Sequence, residues 1–300
     1  MMSYVASRLS VVKPSASMAA SQAAKALRAK GVDVIDLGLG EPDFPTPLHI
    51  IDAAHFAAKA GQTLYTAAAG TAEVREAVAG KFRRENGLDC SADDIVVANG
   101  AKQIIFNALM ATLETGDEAI LPAPYFVSYP EMVKLLGGTP VVVECPETTG
   151  FRLTPALLEK AITPRTKWLF LNMPGNPSGA VYSQSDLAAL GAVLAKHPQV
   201  LVLSDEIYEH SVEREFVPSA RLARAQGPHA DRQRRLQVLR DDRLACRLCR
   251  WPCATGQGDV DDPEPIVHIG VLDRAGGHGR RAQRPAGRGR ALPACLRGAP

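Results

Sequence analysis

The sequence contains no apolar run of about 20 residues, the length that a membrane-spanning helix needs. Its first residues, MMSYVASRLS, have no continuous apolar core of the kind that a secretory signal peptide carries. The net charge of +2 is too small to indicate a nucleic-acid partner, and the six cysteines do not form the dense pattern of a secreted disulfide-bonded domain. We therefore expect a soluble cytoplasmic protein with no membrane or nucleic-acid partner.

Several residue types stop partway along the chain. No asparagine follows Asn176, no lysine follows Lys196, no tyrosine follows Tyr208 and no phenylalanine follows Phe216. Arginine, glycine and proline become dense beyond this point. The 300-residue chain is 46% hydrophobic, which is ample for a packed core. We expect that core in residues 1–216 and a disordered tail in residues 217–300.

The first two thirds of the chain alternate short apolar runs with alanine-rich or amphipathic stretches. Strands alternating with helices imply right-handed crossovers and a mainly parallel sheet with helices on both faces. The pattern therefore predicts an α/β fold. It predicts helices over residues 17–30, 48–60, 71–85 and 154–162, a helix starting near residue 100, and strands within 34–40, 95–98, 117–121, 139–144, 167–172 and 200–205.

Two apolar runs end in polar residues, in WLFLNMPGNPSG (168–179) and in VLVLSDEIYEH (200–210). Because ligands bind beyond the carboxyl ends of parallel strands, Asn172, Asn176, Asp205 and Tyr208 are expected at one edge of the sheet. A buried carboxylate with an amide and a phenol nearby suits a flat heteroaromatic cofactor that has a basic ring nitrogen and a phenolic oxygen. Taken singly, Asp205 also fits the role of a helix or turn cap, and Asn176 also fits a tight turn.

These separated motifs resemble the class I/II aminotransferases, fold-type I pyridoxal 5'-phosphate (PLP) enzymes, and most resemble their bacterial aspartate aminotransferase branch. The resemblance implies an N-terminal arm and part of a small domain in residues 1–45, an incomplete PLP-binding large domain in 46–216, and a C-terminal small domain that is missing or scrambled. The implied activity is amino-group transfer between an aspartate-like or similar amino acid and a 2-oxo acid, in a homodimer.

The resemblance also assigns the contacts to the PLP ring. Asp205 would hold the proton on the ring nitrogen, which the ring needs in order to delocalise negative charge from the substrate. Asn176 and Tyr208 would donate to the phenolate oxygen. Phe126 would stack on the ring face, although an ordinary core phenylalanine fits that residue equally well.

Further roles follow from the same resemblance. Gly100, Ala101 and Lys102 match the tripeptide that holds the cofactor phosphate at a helix start. Tyr65 matches a tyrosine that reaches the cofactor phosphate in the partner subunit. Gly40 matches a glycine whose backbone contacts the substrate carboxylate. By residue type alone, Tyr65 is a packing aromatic and Gly40 a turn glycine.

One residue of the family pattern is missing. The family has a lysine some tens of residues after Asp205, in a motif similar to SKxYxMTGWRxGY, which forms an imine with PLP and then moves a proton. Residues 231–252 read DRQRRLQVLRDDRLACRLCRWP instead. We therefore assign no catalytic residue and expect this chain to bind PLP weakly and to transaminate poorly or not at all.

The genetic code offers an explanation. Back-translated with GC-rich codons and read one base out of register, residues 231–238 permit IVNGVSK and residues 238–253 permit SYAMTGWRVGYAAGP. The codon formed from Gln237 and Val238 encodes lysine or arginine. We interpret the tail from about Pro218 as a frameshifted translation.

Two alternatives stay open at this point. A PLP-dependent β-lyase or synthase of the same fold would share the motifs described above. A non-enzymatic protein could bind a metal or nucleic acid through Cys246, Cys249 and Cys253, but no fourth metal ligand is convincingly placed, since His268 and His278 are poor partners.

Sequencing the DNA that encodes residues 216–220 tests the frameshift. We expect one inserted base, or two missing bases, shortly before the codon for Pro218. An intact open frame whose tail has close in-frame relatives would refute the interpretation.

Overall fold

The computed structural model describes residues 4–13, 15–38, 40, 45–211 and 216–218, and the backbone of 235–241 and 246–250. Its strands form a single mixed sheet in which most neighbours are parallel, as the sequence predicts. The strands are β1 (Ile95–Ala98), β2 (Glu118–Ala123), β3 (Thr139–Glu144), β4 (Thr166–Asn172), β5 (Leu201–Asp205), β6 (Arg235–Asp241) and β7 (Cys246–Arg250). Their order is β1-β7-β6-β5-β4-β2-β3, and β7 is antiparallel to both of its neighbours.

Helices connect the strands and cover both faces of the sheet. Thr71, Thr154 and Ser183 cap three of them, each accepting a hydrogen bond from a backbone N–H of the first turn. The described helices are α1 (Ala16–Arg28), α2 (Leu48–Lys59), α3 (Ala72–Lys81), α4 (Ala101–Thr112), α5 (Tyr129–Leu135), α6 (Pro155–Ala161) and α7 (Gln184–Leu194). No helix within the described ranges has both the length and the apolar character to cross a bilayer.

Alternation along β4 explains why both faces of the sheet are covered. Trp168 and Phe170 pack with α4 in one buried cluster, whereas Leu169 and Leu171 pack with residues of α6 and α7 in another. Successive side chains of a strand point to opposite faces, so a strand that is apolar throughout needs a helix layer on each side.

Two segments differ from the sequence-based prediction in the first part of the chain. No strand forms in the described part of 34–40, where Ile35 and Leu37 are 84% and 90% exposed, because a strand needs a neighbour and none of the described strands lies beside it. Conversely, α5 forms over Tyr129–Leu135, where the sequence analysis predicts no helix. Pro130 lies in its first turn, where a missing N–H costs no helical hydrogen bond.

The tail contributes two strands to the sheet. β6 pairs with β5, and β7 lies between β6 and β1. For these two segments the structure differs from the predicted disorder, since they pair backbone groups of β5 and β1 that would otherwise form open edges. The rest of residues 219–300 lies outside the described part of the chain.

The start of β2 carries a buried carboxylate that pairs with an exposed arginine. Glu118 is 4% exposed, and its carboxylate accepts hydrogen bonds from Thr163 Oγ1 at 2.5 Å and from Arg165 Nε at 3.0 Å. The hydrogen bond from Thr163, followed by the interactions with Arg165, holds the pKa of Glu118 below its usual value. The pair therefore stabilises the fold when Glu118 is ionised.

Glu118→Gln should lower the free energy of unfolding by about 1–3 kcal/mol near neutral pH, because the hydrogen bonds lose their charged acceptor. Since the folded pKa is the lower one, this stabilisation is present above the unfolded pKa and is lost as the pH falls through the folded pKa. Urea unfolding at neutral pH and at about pH 3 measures both effects. Glu147→Gln, at an exposed residue, is the control. If Glu118→Gln lowers the free energy of unfolding equally at both pH values, the stabilising role of the ionised Glu118 is contradicted.

Candidate active site

The carboxyl ends of β4 and β5 lie side by side. Asn172 pairs with Asp205 in the parallel register, and its Nδ2 donates to the Asp205 backbone oxygen at 2.9 Å. Its Oδ1 accepts from the backbone N–H of Asn176 at 2.7 Å. Asn172 thus ties the loop after β4 to the end of β5, which brings the two predicted polar strand ends together.

A pocket opens at this edge of the sheet, next to the start of α4. Most of the residues proposed from the sequence for ring and phosphate contacts line this one pocket. Its lining consists of Ala101, Lys102, Ile105, Phe126, Tyr129, Asn172, Asn176, Asp205, Ile207 and Tyr208.

Asp205 places a buried carboxylate in the pocket wall. The residue is 4% exposed, its Oδ2 accepts from Tyr129 Oη at 2.7 Å, and its Oδ1 accepts from the backbone N–H of Ile207 at 3.3 Å. Burial of a carboxylate is costly unless hydrogen bonds satisfy it, and Tyr129 and the Ile207 N–H supply two of these bonds. Asp205 also belongs to the pocket lining, so a bound ligand would contact this residue.

Tyr129 is a site residue that the sequence analysis missed. It is 2% exposed, and its ring packs against Phe126 and Phe170 with centroid distances of 5.6 Å and 5.2 Å. Its backbone N–H donates to the Phe126 oxygen in a tight turn. The spacing in the sequence could have identified it. Tyr129 lies three residues after Phe126 at the start of a helix, and residues three apart in a helical turn lie on the same side.

Polar donors and an aromatic face complete the pocket. Asn176 Nδ2 donates to Tyr208 Oη at 3.3 Å, so the two polar groups adjoin each other in the pocket wall. The ammonium group of Lys102 lies 5.1 Å from the ring centroid of Phe126, within the range of a cation–π contact. The pocket thus combines donors with a flat apolar surface.

The start of α4 has the backbone features of an anion-binding site. Gly100 is its N-cap with φ of 100°, a conformation that favours glycine. The N–H groups of Ala101 and Lys102 follow in the first turn, where backbone N–H groups have no acceptor within the helix. Such a helix start attracts phosphate.

Three of the predicted site residues do not line this pocket. Gly100, the N-cap of α4, is one of them, although the next two residues, Ala101 and Lys102, belong to the lining. Tyr65 is 92% exposed, and Gly40 is exposed with open space beside it. Neither lines the pocket. Their predicted roles concern a second subunit and a substrate, and remain predictions.

The cysteines of the metal-binding alternative lie in the tail. Cys246 and Cys249 lie on β7, whereas Cys253, His268 and His278 fall outside the described residues. Among the side chains that the structure describes, no group of His, Cys, Asp and Glu residues is arranged to hold a metal ion.

Comparison with known sequences gives matches over most of the chain. The sequence profile described as "Aminotransferase class I and II" matches residues 32–236. A probable aspartate/prephenate aminotransferase of Rhizobium leguminosarum bv. phaseoli is 55% identical over 215 residues, 72% of this chain and 54% of that protein. The aspartate/prephenate aminotransferase of Cereibacter sphaeroides is 54% identical over 215 residues, again 72% of this chain and 54% of that protein. The chain spans about half the length of these curated relatives.

Solved structures show the same similarity. The aspartate aminotransferase of Rhizobium meliloti superposes with a TM-score of 0.79 at 44% identity, covering 84% of this chain and 64% of that one. The aspartate aminotransferase of Thermus thermophilus with maleate gives a TM-score of 0.77 at 41% identity, covering 84% and 65%. The structural similarity therefore includes a larger share of this chain than the sequence similarity does.

Tyr129→Phe removes the hydrogen bond to Asp205 and keeps the packed ring. We expect it to lower the free energy of unfolding by about 1–3 kcal/mol, the worth of a hydrogen bond to a charged group, in urea unfolding experiments. In an Asp205→Asn background the same change should cost less by at least about 0.5 kcal/mol. Fully exposed Tyr4→Phe is the matched control. Equal costs of Tyr129→Phe in both backgrounds would show that the bond contributes nothing.

Proposed function

This chain belongs to the class I and II aminotransferase family, and from that membership we propose that it represents part of an enzyme that transfers an amino group between an aspartate-like amino acid and a 2-oxo acid, with PLP as cofactor. The single observation that carries the proposal is the pocket in which the ends of β4 and β5, the start of α4 and Phe126 come together.

The chemistry of the pocket residues fits PLP. A phosphate needs unpaired N–H groups, which the α4 start offers, and a flat ring needs an apolar face, which Phe126 offers. A basic ring nitrogen needs a buried carboxylate, and Asp205 is 4% exposed. A phenolic oxygen needs donors, and the side chains of Asn176 and Tyr208 adjoin each other.

We assign each group a task on that basis. When bound, PLP supplies an electron-withdrawing ring that stabilises negative charge at the substrate α-carbon. Asp205 keeps a proton on the ring nitrogen. Tyr129 and the backbone N–H of Ile207 hold the Asp205 carboxylate in place. Asn176 and Tyr208 donate to the phenolic oxygen.

The lysine that tethers the cofactor in the family has no counterpart in this sequence after Lys196. The backbone of Val238 pairs with Asp205 in the sheet, and Gln237 with Ser204. The shifted reading frame gives a lysine or arginine codon from Gln237 and Val238, beside the pocket. This register supports the frameshift proposal, and we propose that the chain as given holds PLP without a covalent tether.

A second copy of the chain is the proposed partner. Leu48, Phe56, Leu64 and Tyr65 are between 65% and 92% exposed on and after α2. A surface with this many exposed large apolar side chains is typical of an interaction site. The surface supports the predicted homodimer, with Tyr65 directed to the partner's pocket.

An absorbance titration of the 300-residue chain with PLP tests the cofactor proposal. We expect saturable binding that Asp205→Ala weakens about tenfold or more, because a hydrogen bond to a charged group is worth about 1.5–3 kcal/mol. Asp89→Ala, which changes a 98% exposed side chain, should leave the affinity unchanged. Equal affinities of all three proteins would count against the assignment of Asp205.

Borohydride reduction of the same samples, followed by peptide mass spectrometry, tests the missing tether. We expect no lysine to be labelled stoichiometrically, and one fully labelled lysine would contradict this part of the proposal. A protein with the reading frame restored should acquire such a label and transfer the amino group of aspartate to a 2-oxo acid.

A further inference from the structure

A buried polar cluster lies beside the pocket but contributes none of its lining. Its members are Lys81 and Asn86, near the end of α3, and Glu206 and Glu209, after β5; we call these four residues the acidic clamp. Glu206 is fully buried, and Asn86 and Glu209 are 3% and 9% exposed. Two buried carboxylates at this position are costly and need partners.

The clamp is joined by direct contacts between segments that are far apart in the sequence. Lys81 Nζ forms an ion pair with Glu209 and donates to Asn86 Oδ1 at 2.7 Å. Asn86 Nδ2 donates to Glu209 Oε2 at 2.8 Å and to Glu206 Oε2 at 3.5 Å. Asn86 is therefore the central member, since it contacts the other three.

The geometry of the segment after β5 puts the clamp and the pocket on different sides of one turn. The N–H of Glu209 donates to the Glu206 oxygen at 3.0 Å, and the N–H of Ser211 to the Tyr208 oxygen at 2.8 Å. In a helical turn, residues three apart share a side. Asp205 and Tyr208 therefore face the pocket, while Glu206 and Glu209 face α3.

A π-helical turn over Phe82–Asn86 makes the clamp possible. It ends with the N–H of Gly87 donating to the Phe82 oxygen, five residues earlier. In an α-helix, residues three or four apart are neighbours, whereas Lys81 and Asn86 are five apart. The wider turn brings both side chains to Glu209, and π turns of this kind are frequent at functional sites.

We propose that the acidic clamp is a positioning device that holds Asp205 and Tyr208 toward the cofactor, an inference that rests on the proposed function. Without the amide of Asn86, the two glutamates lose the one donor that they share. Glu206 then keeps the hydroxyl of Ser204 and Glu209 keeps Lys81, but the link between the two carboxylates is broken. The turn that they belong to then rotates, and Tyr208 moves with it. Asn86 and Lys81 are positioning residues, because they act through Tyr208 and Asp205 and do not line the pocket.

Asn86→Leu removes the central amide and keeps the branched shape and the four heavy atoms of the side chain. Arg84→Ala changes an exposed side chain of the same π turn and is the control. In hydrogen exchange followed by mass spectrometry, the ligand-free 300-residue chain with Asn86→Leu should exchange the amides of residues 206–211 at least about tenfold faster. Peptides from α6 and α7 should keep their rates. Asn86→Ala serves the same purpose if the leucine variant does not fold.

Binding of pyridoxine 5'-phosphate, which has no aldehyde, tests the link to the cofactor. Asn86→Leu should weaken its affinity about tenfold in the natural background but less than about threefold in a Tyr208→Phe background, because both changes disable the same donor. Equal weakening in both backgrounds, or unchanged exchange of residues 206–211, would overturn the proposal. If the unmodified chain binds no pyridoxine 5'-phosphate, the proposed function fails, and the exchange rates alone decide whether the clamp holds the turn.

Discussion

The rest of the site depends on the burial of one carboxylate. Asp205 ends β5 in the interior, and a buried negative charge is tolerated only where donors surround it. Tyr129 donates a hydrogen bond to the Asp205 carboxylate, and so does the backbone N–H of Ile207. Asn172 donates to the Asp205 backbone oxygen. These contacts join the first residue of α5 and the last residue of β4 to the end of β5, so the elements that form the pocket meet at this single group.

Local periodicity explains how much of this arrangement could be predicted from the sequence. Strand and helix alternation, and polar residues at strand ends, are properties of neighbouring residues. The sheet and the placement of Asn176 and Asp205 in one pocket could therefore be anticipated. Tyr129 lies 76 residues from Asp205, and Asn86 lies 120 or more from the glutamates that it contacts. No periodic pattern reports such pairings. The π turn was read as continuous helix because its residues are ordinary helix formers.

Strand predictions failed where a strand depends on its neighbours. Residues 34–40 have the apolar pattern of a strand, but Ile35 and Leu37 remain exposed because no described strand lies alongside. The arginine-rich segments β6 and β7 have a composition that suggests disorder, yet they occupy positions between β5 and β1. In both cases the open backbone groups of adjacent elements matter more than the residues of the segment itself.

The π turn also constrains how this chain can change in evolution. An α-helix advances about 100° per residue, so a deletion of one residue between Phe82 and Asn86 would place the asparagine four residues after Lys81, and the two side chains would remain neighbours if α3 continued in α-helical form. The same deletion would shift every residue after the asparagine by one position without changing the side of the helix that it occupies. A lineage with a shorter helix should therefore have lost the π turn and kept the two acidic positions after β5.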